Sequence, residues 1–361
     1  MKGVLVLENG RRFPGLLAGG EGMKAGEVVF HTGMTGYQEI LTDPSYAGQI
    51  VVMTYPLIGN YGLNAQDAEA KRPWLAGFVT GEACSLPNHY LQEKTLHEYL
   101  AHHEVPLLTD VDTRALVRVI REHGSLKGYI VPVEAATEEP DFSALPRDLV
   151  KKVSTPISYS FSAEGEYHVV LLDFGAKENI ARSLTTAGCR VTVMPATSTA
   201  EQVRAMRPDG IMLSNGPGDP LDCADLLPTV KELAEEFPTF GICLGHQLLA
   251  LAFGARTEKM RFGHRGSNHP VRDLQSDKIW ITSQNHGYTV ADAGLPDDLI
   301  VTHRNVNDGS VEGLKHRDLA VFSVQFHPEA CPGPQDAQVL FEDFLSLMKE
   351  RKGQHLVTTT V

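Results

Sequence analysis

The feature that most constrains the fold of this chain is a regular alternation of strand and helix patterns between residues 167 and 242. The apolar runs HVVLLD, RVTVMP, DGIMLS and TFGI are separated by segments with helical spacing near 178–188, 199–206 and 224–236. This alternation predicts an α/β fold with a mainly parallel sheet flanked by helices. Functional sites of such sheets lie at the carboxyl ends of the strands.

The part of the chain before this alternation predicts a separate α+β domain. GVLVLENGRRF is typical of two strands joined by a hairpin turn at Asn9-Gly10, and QIVVMTYP of a further strand. LQEKTLHEYLAHH and DTRALVRVIREHG carry apolar residues at helical spacing. Residues 133–166 lose this periodicity and gain Pro, Ser and Glu, as linkers do. We predict an amino-terminal domain, a linker or crossing segment, a second domain and a flexible tail at 1–132, 133–166, 167–352 and 353–361.

Charge and composition narrow the classes of function. The chain has 361 residues, with 32 Lys+Arg against 45 Asp+Glu, a formal net charge of −13. Such a balance disfavours binding to nucleic acids and to anionic membranes. No apolar run is long enough for a signal peptide or a membrane span, so we expect a cytoplasmic protein.

The cysteines and histidines do not form a recognisable metal motif. The five cysteines are scattered without a CxxC pair, which favours reduced thiols over disulfides or a zinc ribbon. In HEYLAHH the position four residues after His97 is Ala101, and His102 lies off the helical face that a zinc site needs. We therefore expect no metal site and interpret these histidines as solvated.

The segment TFGICLGHQLLALAFGA places Cys243 between Gly241 and Gly245, where a short apolar strand meets a helical pattern. A nucleophile on a sharp strand-to-helix turn needs such glycines, because larger side chains would collide with the adjacent strand or helix. The partial positive charge at the helix N-terminus favours a thiolate. A buried core cysteine, the ordinary alternative, would not require the paired glycines. The pattern predicts a cysteine nucleophile.

A proton shuttle for this nucleophile is available in QFHPEA, directly after another apolar strand. His327 and Glu329 are two residues apart, so their side chains lie on one side of an extended segment. His327 is expected to protonate the leaving nitrogen and then activate water, while Glu329 holds the imidazole. Alone, a His-x-Glu pair is more often a surface pair. Together with the Cys243 turn it predicts a catalytic triad.

Backbone donors for an oxyanion are expected from two places. One is the N–H of Leu244, the residue after the nucleophile, and the other is the loop SNGPGDP after the third predicted strand. Gly216 and Gly218 would let this loop approach a substrate closely. A loop rich in Gly and Pro is usually only a turn, but the carboxyl end of a parallel strand favours a role in the site.

Taken together, SNGPGDP, GICLGHQ and FHPE resemble the class I, triad-type glutamine amidotransferase domain over about 167–350. FHTGMTGYQEILTDPSYAGQIVVMTYPLIGNYG, at 30–62, resembles the amino-terminal domain of the small subunit of carbamoyl-phosphate synthase. NHP at 268–270, QNHGY at 284–288 and DFGAKENI at 173–180 agree with that subunit. The chain departs from the family pattern at Tyr288, where Phe is common, and at Glu178, where a basic residue is frequent.

The resemblance implies the glutaminase component of a glutamine-hydrolysing ligase. A cysteine thioester would release ammonia to a large synthetase subunit, which makes carbamoyl phosphate from bicarbonate and ATP for arginine and pyrimidine biosynthesis. It implies a heterodimer, in one or more copies, with no cofactor in this chain and ATP and Mg²⁺ in the large subunit. It implies that L-glutamine is contacted by Ser45, Gly216, Gly218, Leu244, Gln247, Asn285, Gly287 and Tyr288. The chain contains no Gly-Lys dipeptide, which a Walker P-loop requires.

Two other classes of function use the same residues. A stand-alone thiol hydrolase acting on γ-glutamyl amides or peptides would need the same nucleophile and histidine, although the segment at 30–62 argues against it. A binding or scaffold protein could keep a triad that no longer works. The presence of all three catalytic side chains argues against that reading.

Overall fold

The computed structural model describes residues 1–20, 23–136 and 140–358, with side chains described as far as 353. Residues 137–139 of the predicted linker and 359–361 of the predicted tail lie outside the described part. The chain divides into two compact units. The first consists of Met1–Leu149 with Arg261–Gly266, and the second of Val150–Met260 with Ser267–Val361.

The first unit is built around a closed β-barrel with the strand order β1-β2-β8-β6-β4-β3-β9. Strands β5 and β7 form a separate parallel pair. The strands are β1 (Lys2–Leu7), β2 (Arg12–Ala18), β3 (Lys24–His31), β4 (Gln49–Met53), β5 (Leu57–Ile58), β6 (Gly77–Val79), β7 (Glu82–Ala83), β8 (Leu107–Thr109) and β9 (Leu126–Pro132). The helices are α1 (Tyr37–Thr42), α2 (Leu96–His102) and α3 (Thr113–His123), with 3-10 turns at Pro44–Tyr46, Val133–Ala135 and Phe142–Ala144.

Local patterns account for the elements of this barrel. The predicted hairpin is confirmed, since β1 and β2 pair antiparallel and the Gly10 N–H donates to the Leu7 carbonyl at 2.8 Å. Alternate side chains of several strands, including Leu5, Ile50 and Ile130, share one buried core. Closure depends on β1 pairing with β9, more than 100 residues later in the chain. A closed barrel leaves no strand edge to be covered.

The second unit is a sheet covered by helices. Its strands are β10 (Tyr159–Ser162), β11 (Tyr167–Asp173), β12 (Cys189–Pro195), β13 (Gly210–Leu213), β14 (Thr239–Ile242), β15 (Thr257–Asp273, of which Arg261–Gly266 belong to the first unit), β16 (Ile279–Val290), β17 (Leu299–Asn305), β18 (Val311–His316) and β19 (Val321–Val324). The helices are α4 (Leu149–Val153), α5 (Glu178–Thr186), α6 (Ala200–Ala205), α7 (Leu227–Glu236), α8 (Leu244–Ala252) and α9 (Val339–Thr358), with a 3-10 segment at Pro220–Leu226. The final helix α9 thus extends into the predicted tail.

The sheet has a parallel centre, with β12, β11, β13, β14 and β19 adjacent in that order. Alternate residues of β11 enter different cores, Val169 on one face and Val170 on the other. A strand buried on both faces is typical of a parallel sheet between helical layers. The predicted α/β fold is confirmed.

Antiparallel strands extend this sheet on both sides. On one side β10, inside the predicted crossing segment, pairs antiparallel with β12. On the other side β18 pairs antiparallel with β19, and β16, β15 and β17 follow. In the described part of the chain, no helix has the length and apolar character needed to cross a membrane.

Candidate active site

Cys243 lies in a strained turn between β14 and α8, with φ 53° and ψ −100°. Its backbone N–H donates to the Val324 carbonyl of the neighbouring strand β19 at 2.9 Å. A residue with a Cβ atom keeps such a conformation only where the surroundings impose it, and such strain is common at functional sites. The turn holds the thiol at the carboxyl end of β14.

The two glycines that flank Cys243 are required by close packing. A Cβ atom on Gly241 would lie 2.8 Å from the backbone of Gly245. A Cβ atom on Gly245 would lie 2.3 Å from the carbonyl oxygen of Leu213 on the adjacent strand β13. The steric reason that the sequence suggested for these glycines is therefore confirmed.

His327 and Glu329 follow β19 and form a buried pair. His327 is anchored by its backbone N–H, which donates to the Ser283 carbonyl at 2.9 Å. Its Nδ1 lies 2.6 Å from Oε1 of Glu329. Burial alone lowers the pKa of His327, but the Glu329 carboxylate and the Cys243 sulfur outweigh it and raise the pKa above its usual value. This environment favours the imidazolium form.

The other ring nitrogen of His327, Nε2, makes no well-formed hydrogen bond with a described residue. The Cys243 sulfur is nevertheless close enough to raise the pKa of the ring. Catalytic hydrogen bonds are often long in the absence of substrate. The arrangement leaves Nε2 able to exchange a proton with a group bound at the sulfur.

Lys177, in the segment between β11 and α5, completes this cluster. Its Nζ lies 3.1 Å from Oε1 of Glu329 and donates to the Ala330 carbonyl at 2.5 Å. The side chains of Lys177 and Glu329 are 4% and 0% exposed, so the ion pair is shielded from water. Burial alone raises the pKa of Glu329, but Lys177 and His327 overcome it and hold the pKa below its usual value. The carboxylate therefore stays ionised between two cations.

Amide groups also lie close to the Cys243 sulfur. Nε2 of Gln325 lies 3.7 Å from Sγ of Cys243, and the Asn285 carbonyl lies 3.6 Å from the same sulfur. Gln247 donates through Nε2 to Oε1 of Gln325 at 3.0 Å and to the Tyr288 carbonyl at 2.9 Å. The structure thus brings together Cys243 and the predicted residues Gln247, Asn285 and Tyr288, with Gly287 between the last two on β16.

The predicted glycine loop follows β13. A Cβ atom on Gly216 would lie 2.3 Å from the Phe174 carbonyl oxygen and 2.7 Å from Cδ2 of Leu244. Gly218 has a φ of 93°, which a residue with a side chain rarely adopts. The loop therefore reaches the residue whose N–H was predicted to bind an oxyanion.

Comparisons with known proteins agree in both halves of the chain. The model of the carbamoyl-phosphate synthase small chain, CPSase domain, matches residues 5–130, and that of glutamine amidotransferase class-I matches residues 170–347. The carbamoyl phosphate synthase small chain of Bacillus caldolyticus is 54% identical over 98% of this chain and 99% of its own length. This chain belongs to the carbamoyl phosphate synthase small chain family.

Other members of the small chain family are similar to the same extent. The pyrimidine-specific small chain of Halalkalibacterium halodurans is 50% identical, with 99% of each chain covered. The small chain of Clostridium perfringens is 51% identical over 96% of this chain and 99% of its own. The similarity therefore spans both units rather than one domain.

Ser45 differs from the other predicted contacts because it belongs to the first unit. It lies in the 3-10 turn Pro44–Tyr46, where its backbone N–H donates to Oδ1 of Asp43 at 2.9 Å. The Ser45 residue is buried. Its contact with glutamine remains a prediction from the resemblance to the small chain family.

The sequence analysis did not single out Lys177 or Gln325. A signal for Lys177 was present, since a charged residue soon after a fully buried parallel strand lies at the edge where sites form. Gln325 lies two residues before His327, so it is on the same side of an extended segment. These signals place Lys177 and Gln325 near the site, but they do not predict which residues the two side chains contact.

We expect the buried cluster to make stability depend on pH. The folded pKa of Glu329 is below its ordinary value of about 4.3, so its contribution is complete above that pH and is lost as pH falls through the folded pKa. The folded pKa of His327 is above its ordinary value of about 6.5, so its contribution is complete below that pH and is lost as pH rises through the folded pKa.

Thermal unfolding of the parent and of Glu329→Gln at a series of pH values would measure this dependence. Between about pH 4.3 and 6.5, we expect the variant to lose about 3–5 kcal/mol of unfolding free energy, because it leaves the Lys177 charge buried without its partner. The difference should shrink at both lower and higher pH. A difference that does not vary with pH would contradict the assignment.

Proposed function

We propose that this chain is the glutaminase subunit of a glutamine-dependent carbamoyl phosphate synthase. In this proposal Cys243 is the nucleophile, His327 moves the protons and Glu329 holds the histidine. The observation that carries the proposal is the buried Lys177–Glu329–His327 cluster beside the strained Cys243 turn, in a chain of the small chain family.

The first half of the reaction would form a thioester. The Cys243 thiolate attacks the side-chain amide carbon of glutamine, and the carbonyl oxygen becomes an oxyanion. His327, present as imidazolium, donates its Nε2 proton to the amide nitrogen, and the C–N bond breaks to release ammonia. The pKa shift of His327 supports this role because it keeps the proton available until a leaving group needs it.

The second half would hydrolyse the thioester. The neutral imidazole of His327 takes a proton from water, and the resulting hydroxide attacks the thioester carbon. The C–S bond breaks, Cys243 returns as the thiolate beside an imidazolium, and the new carboxyl group of glutamate loses its proton to solvent as the product leaves. Glu329 stays ionised throughout and stabilises the positive ring, and Lys177 keeps Glu329 ionised.

Backbone and amide groups would bind the rest of the substrate. The N–H of Leu244 and the Gly216 loop are suited to the oxyanion, because they carry donors at the carboxyl ends of β13 and β14. Gln247 binds the Tyr288 carbonyl and the Asn285 carbonyl contacts the sulfur, so the polar groups of Gln247 and of the 285–288 segment, with Gly287, are available for the charged amino-acid end of glutamine. Ser45 would add a hydroxyl, as the resemblance to the small chain family implies.

The released ammonia would pass to a large synthetase subunit, which binds ATP and Mg²⁺ and makes carbamoyl phosphate from bicarbonate. Direct transfer has a physical reason, because ammonia released into water is protonated and loses its nucleophilic lone pair. We propose a heterodimer with that subunit, in the cytoplasm, where the five cysteines would stay reduced. The product would serve pyrimidine or arginine biosynthesis.

Glutamine turnover by the isolated chain and by its complex with the large subunit tests this proposal. We expect the complex to hydrolyse glutamine at least about 10-fold faster than the isolated chain, because release of ammonia is useful only when the acceptor is ready. Turnover that is already maximal in the isolated chain would favour a stand-alone thiol hydrolase.

The control for that measurement is covalent labelling of the same complex with an electrophilic analogue of glutamine. Labelling confined to Cys243 shows that the site is competent under the conditions of the assay. A complex with no labelling and no glutamine turnover would favour a vestigial site instead.

A further inference from the structure

Glu312, on β18, is a fully buried carboxylate that the triad does not use. Its Oε1 accepts hydrogen bonds from Nε2 of Gln284 at 3.0 Å and from Nδ2 of Asn305 at 2.9 Å. Burying an ionised carboxylate is costly unless the charge is well solvated by the protein. Its position therefore calls for a partner of opposite charge.

Two histidines, His264 and His286, lie close enough to take this role, and the hydrogen bonds beyond Gln284 lead to His286. Because the carboxylate can only accept, the Gln284 nitrogen faces Glu312 and its Oε1 faces Nε2 of His286, at 2.8 Å. The other ring nitrogen, Nδ1, lies 2.7 Å from the Tyr288 carbonyl. With the Gln284 amide in this orientation both contacts are acceptors, which is the arrangement that a doubly protonated His286 ring requires. A side-chain oxygen of Glu312 and one ring nitrogen each of His264 and His286 all lie within 4.8 Å of one another.

The Tyr288 carbonyl at the end of this path belongs to the candidate site. It accepts from His286 on one side and from Gln247 on the other, at 2.7 and 2.9 Å. It lies on the 285–288 segment of β16, whose Asn285 carbonyl contacts the Cys243 sulfur. The path from Glu312 thus ends on the segment that carries the proposed glutamine contacts.

Glu312 also reaches the sulfur through its own backbone. Its carbonyl accepts from the Gln325 N–H at 2.9 Å, and the Gln325 side chain lies beside Sγ of Cys243. The Gln325 side chain also accepts from Gln247, so the two paths from Glu312 join at one amide group. Glu312 is therefore connected both to the Gln325 side chain and to the 285–288 segment, whose Asn285 carbonyl contacts the sulfur.

We propose that Glu312 is a positioning residue for glutamine binding. Its charge, acting through Gln284 and the His286 imidazolium, holds the 285–288 segment of β16 in register with Cys243. Glu312 touches neither the sulfur nor the substrate. The inference rests on the proposed glutaminase function. Because Lys177 holds the triad independently, loss of the Glu312 charge should weaken glutamine binding more than it slows chemistry.

The test is the Glu312→Gln variant in the assembled complex with the large subunit. Glutamine keeps an oxygen for the two amide donors but removes the charge that faces His286. We expect KM for glutamine to rise about 10-fold or more and kcat to change by less than about 3-fold, the pattern of lost ground-state binding. Synthesis driven by ammonia should stay at the parent rate.

Thr289→Val is the matched control on the same strand, because the Thr289 Oγ1 is buried and makes no hydrogen bond with a described residue. It should leave KM unchanged. If Glu312→Gln does not fold, Glu312→Asp keeps the charge with a shorter reach and should show a smaller rise in KM at the same kcat.

Three results would overturn the proposal: a parent-like KM in Glu312→Gln, an equal rise in KM in Thr289→Val, or failure of both Glu312 variants to fold. Each of these leaves glutamine turnover and Cys243 labelling of the parent complex intact. Failure of the glutaminase proposal itself would remove both from the parent, so the two failures are distinguishable.

Discussion

Replacing Cys243 with serine in the assembled complex is expected to abolish carbamoyl phosphate synthesis from glutamine and to leave synthesis from ammonia at the parent rate. A serine hydroxyl in the same strained turn is not ionised at neutral pH, and the neighbouring groups are arranged for a thiolate beside an imidazolium. We expect the glutamine-dependent rate to fall by roughly 10⁴-fold or more, as for other removed nucleophiles.

The control for this substitution is Cys189→Ser. Cys189 is buried in β12, and burial raises the pKa of its thiol to about 11, so it is a core residue rather than a nucleophile. It should keep both glutamine-driven and ammonia-driven synthesis. If Cys243→Ser lowered both activities together, or neither, Cys243 would not be the nucleophile.

Replacing Lys177 with methionine is expected to have the second largest effect. The change removes a cation 3.1 Å from a fully buried carboxylate and leaves Glu329 with only the histidine. Breaking a buried ion pair in this way costs about 3–5 kcal/mol of unfolding free energy. The Glu329 pKa should rise, and the imidazolium form of His327 should become less stable as a result. Because the imidazolium is the acid that protonates the leaving nitrogen, we expect kcat for glutamine to fall about 10²-fold or more.

Denaturant unfolding and steady-state glutamine kinetics would measure the two parts of this effect. The matched control is Lys151→Met, which removes a lysine whose ion pair with Asp225, at 2.7 Å, is half exposed. An exposed pair contributes at most about 1 kcal/mol, so stability and kcat should both stay near the parent values. Equal effects of the two substitutions would show that the Lys177 pair has no special role.

The elements of this fold were largely predictable from local patterns. HVVLLD, RVTVMP, DGIMLS and TFGI are strands β11 to β14, and the segments between them contain α5, α6 and α7. Periodicity is a local property, so a single sequence carries it. The closure of the barrel through β1 and β9 and the pairing of β14 with β19 join segments that are distant in sequence, which no local pattern encodes.

The residues of the site also divide into those that a local pattern predicts and those that depend on contacts between distant segments. The glycines around Cys243 and the spacing of His327 and Glu329 act over a few residues, so the sequence alone determined the turn and the pairing of the two side chains. The cation that keeps Glu329 ionised comes from a loop 152 residues earlier in the chain (329 minus 177).

Only the tertiary structure decided which buried polar groups are partners. The sequence assigned no role to Glu312 and marked Gln284 and His286 only as members of the QNHGY motif. Their connection to the sulfur arises because β16, β18 and the segment after β19 are neighbours in one sheet. Hydrogen bonds and ion pairs act over about 3–4 Å. The sequence therefore determines which chemical groups are available, and the packing of distant strands determines which of them meet.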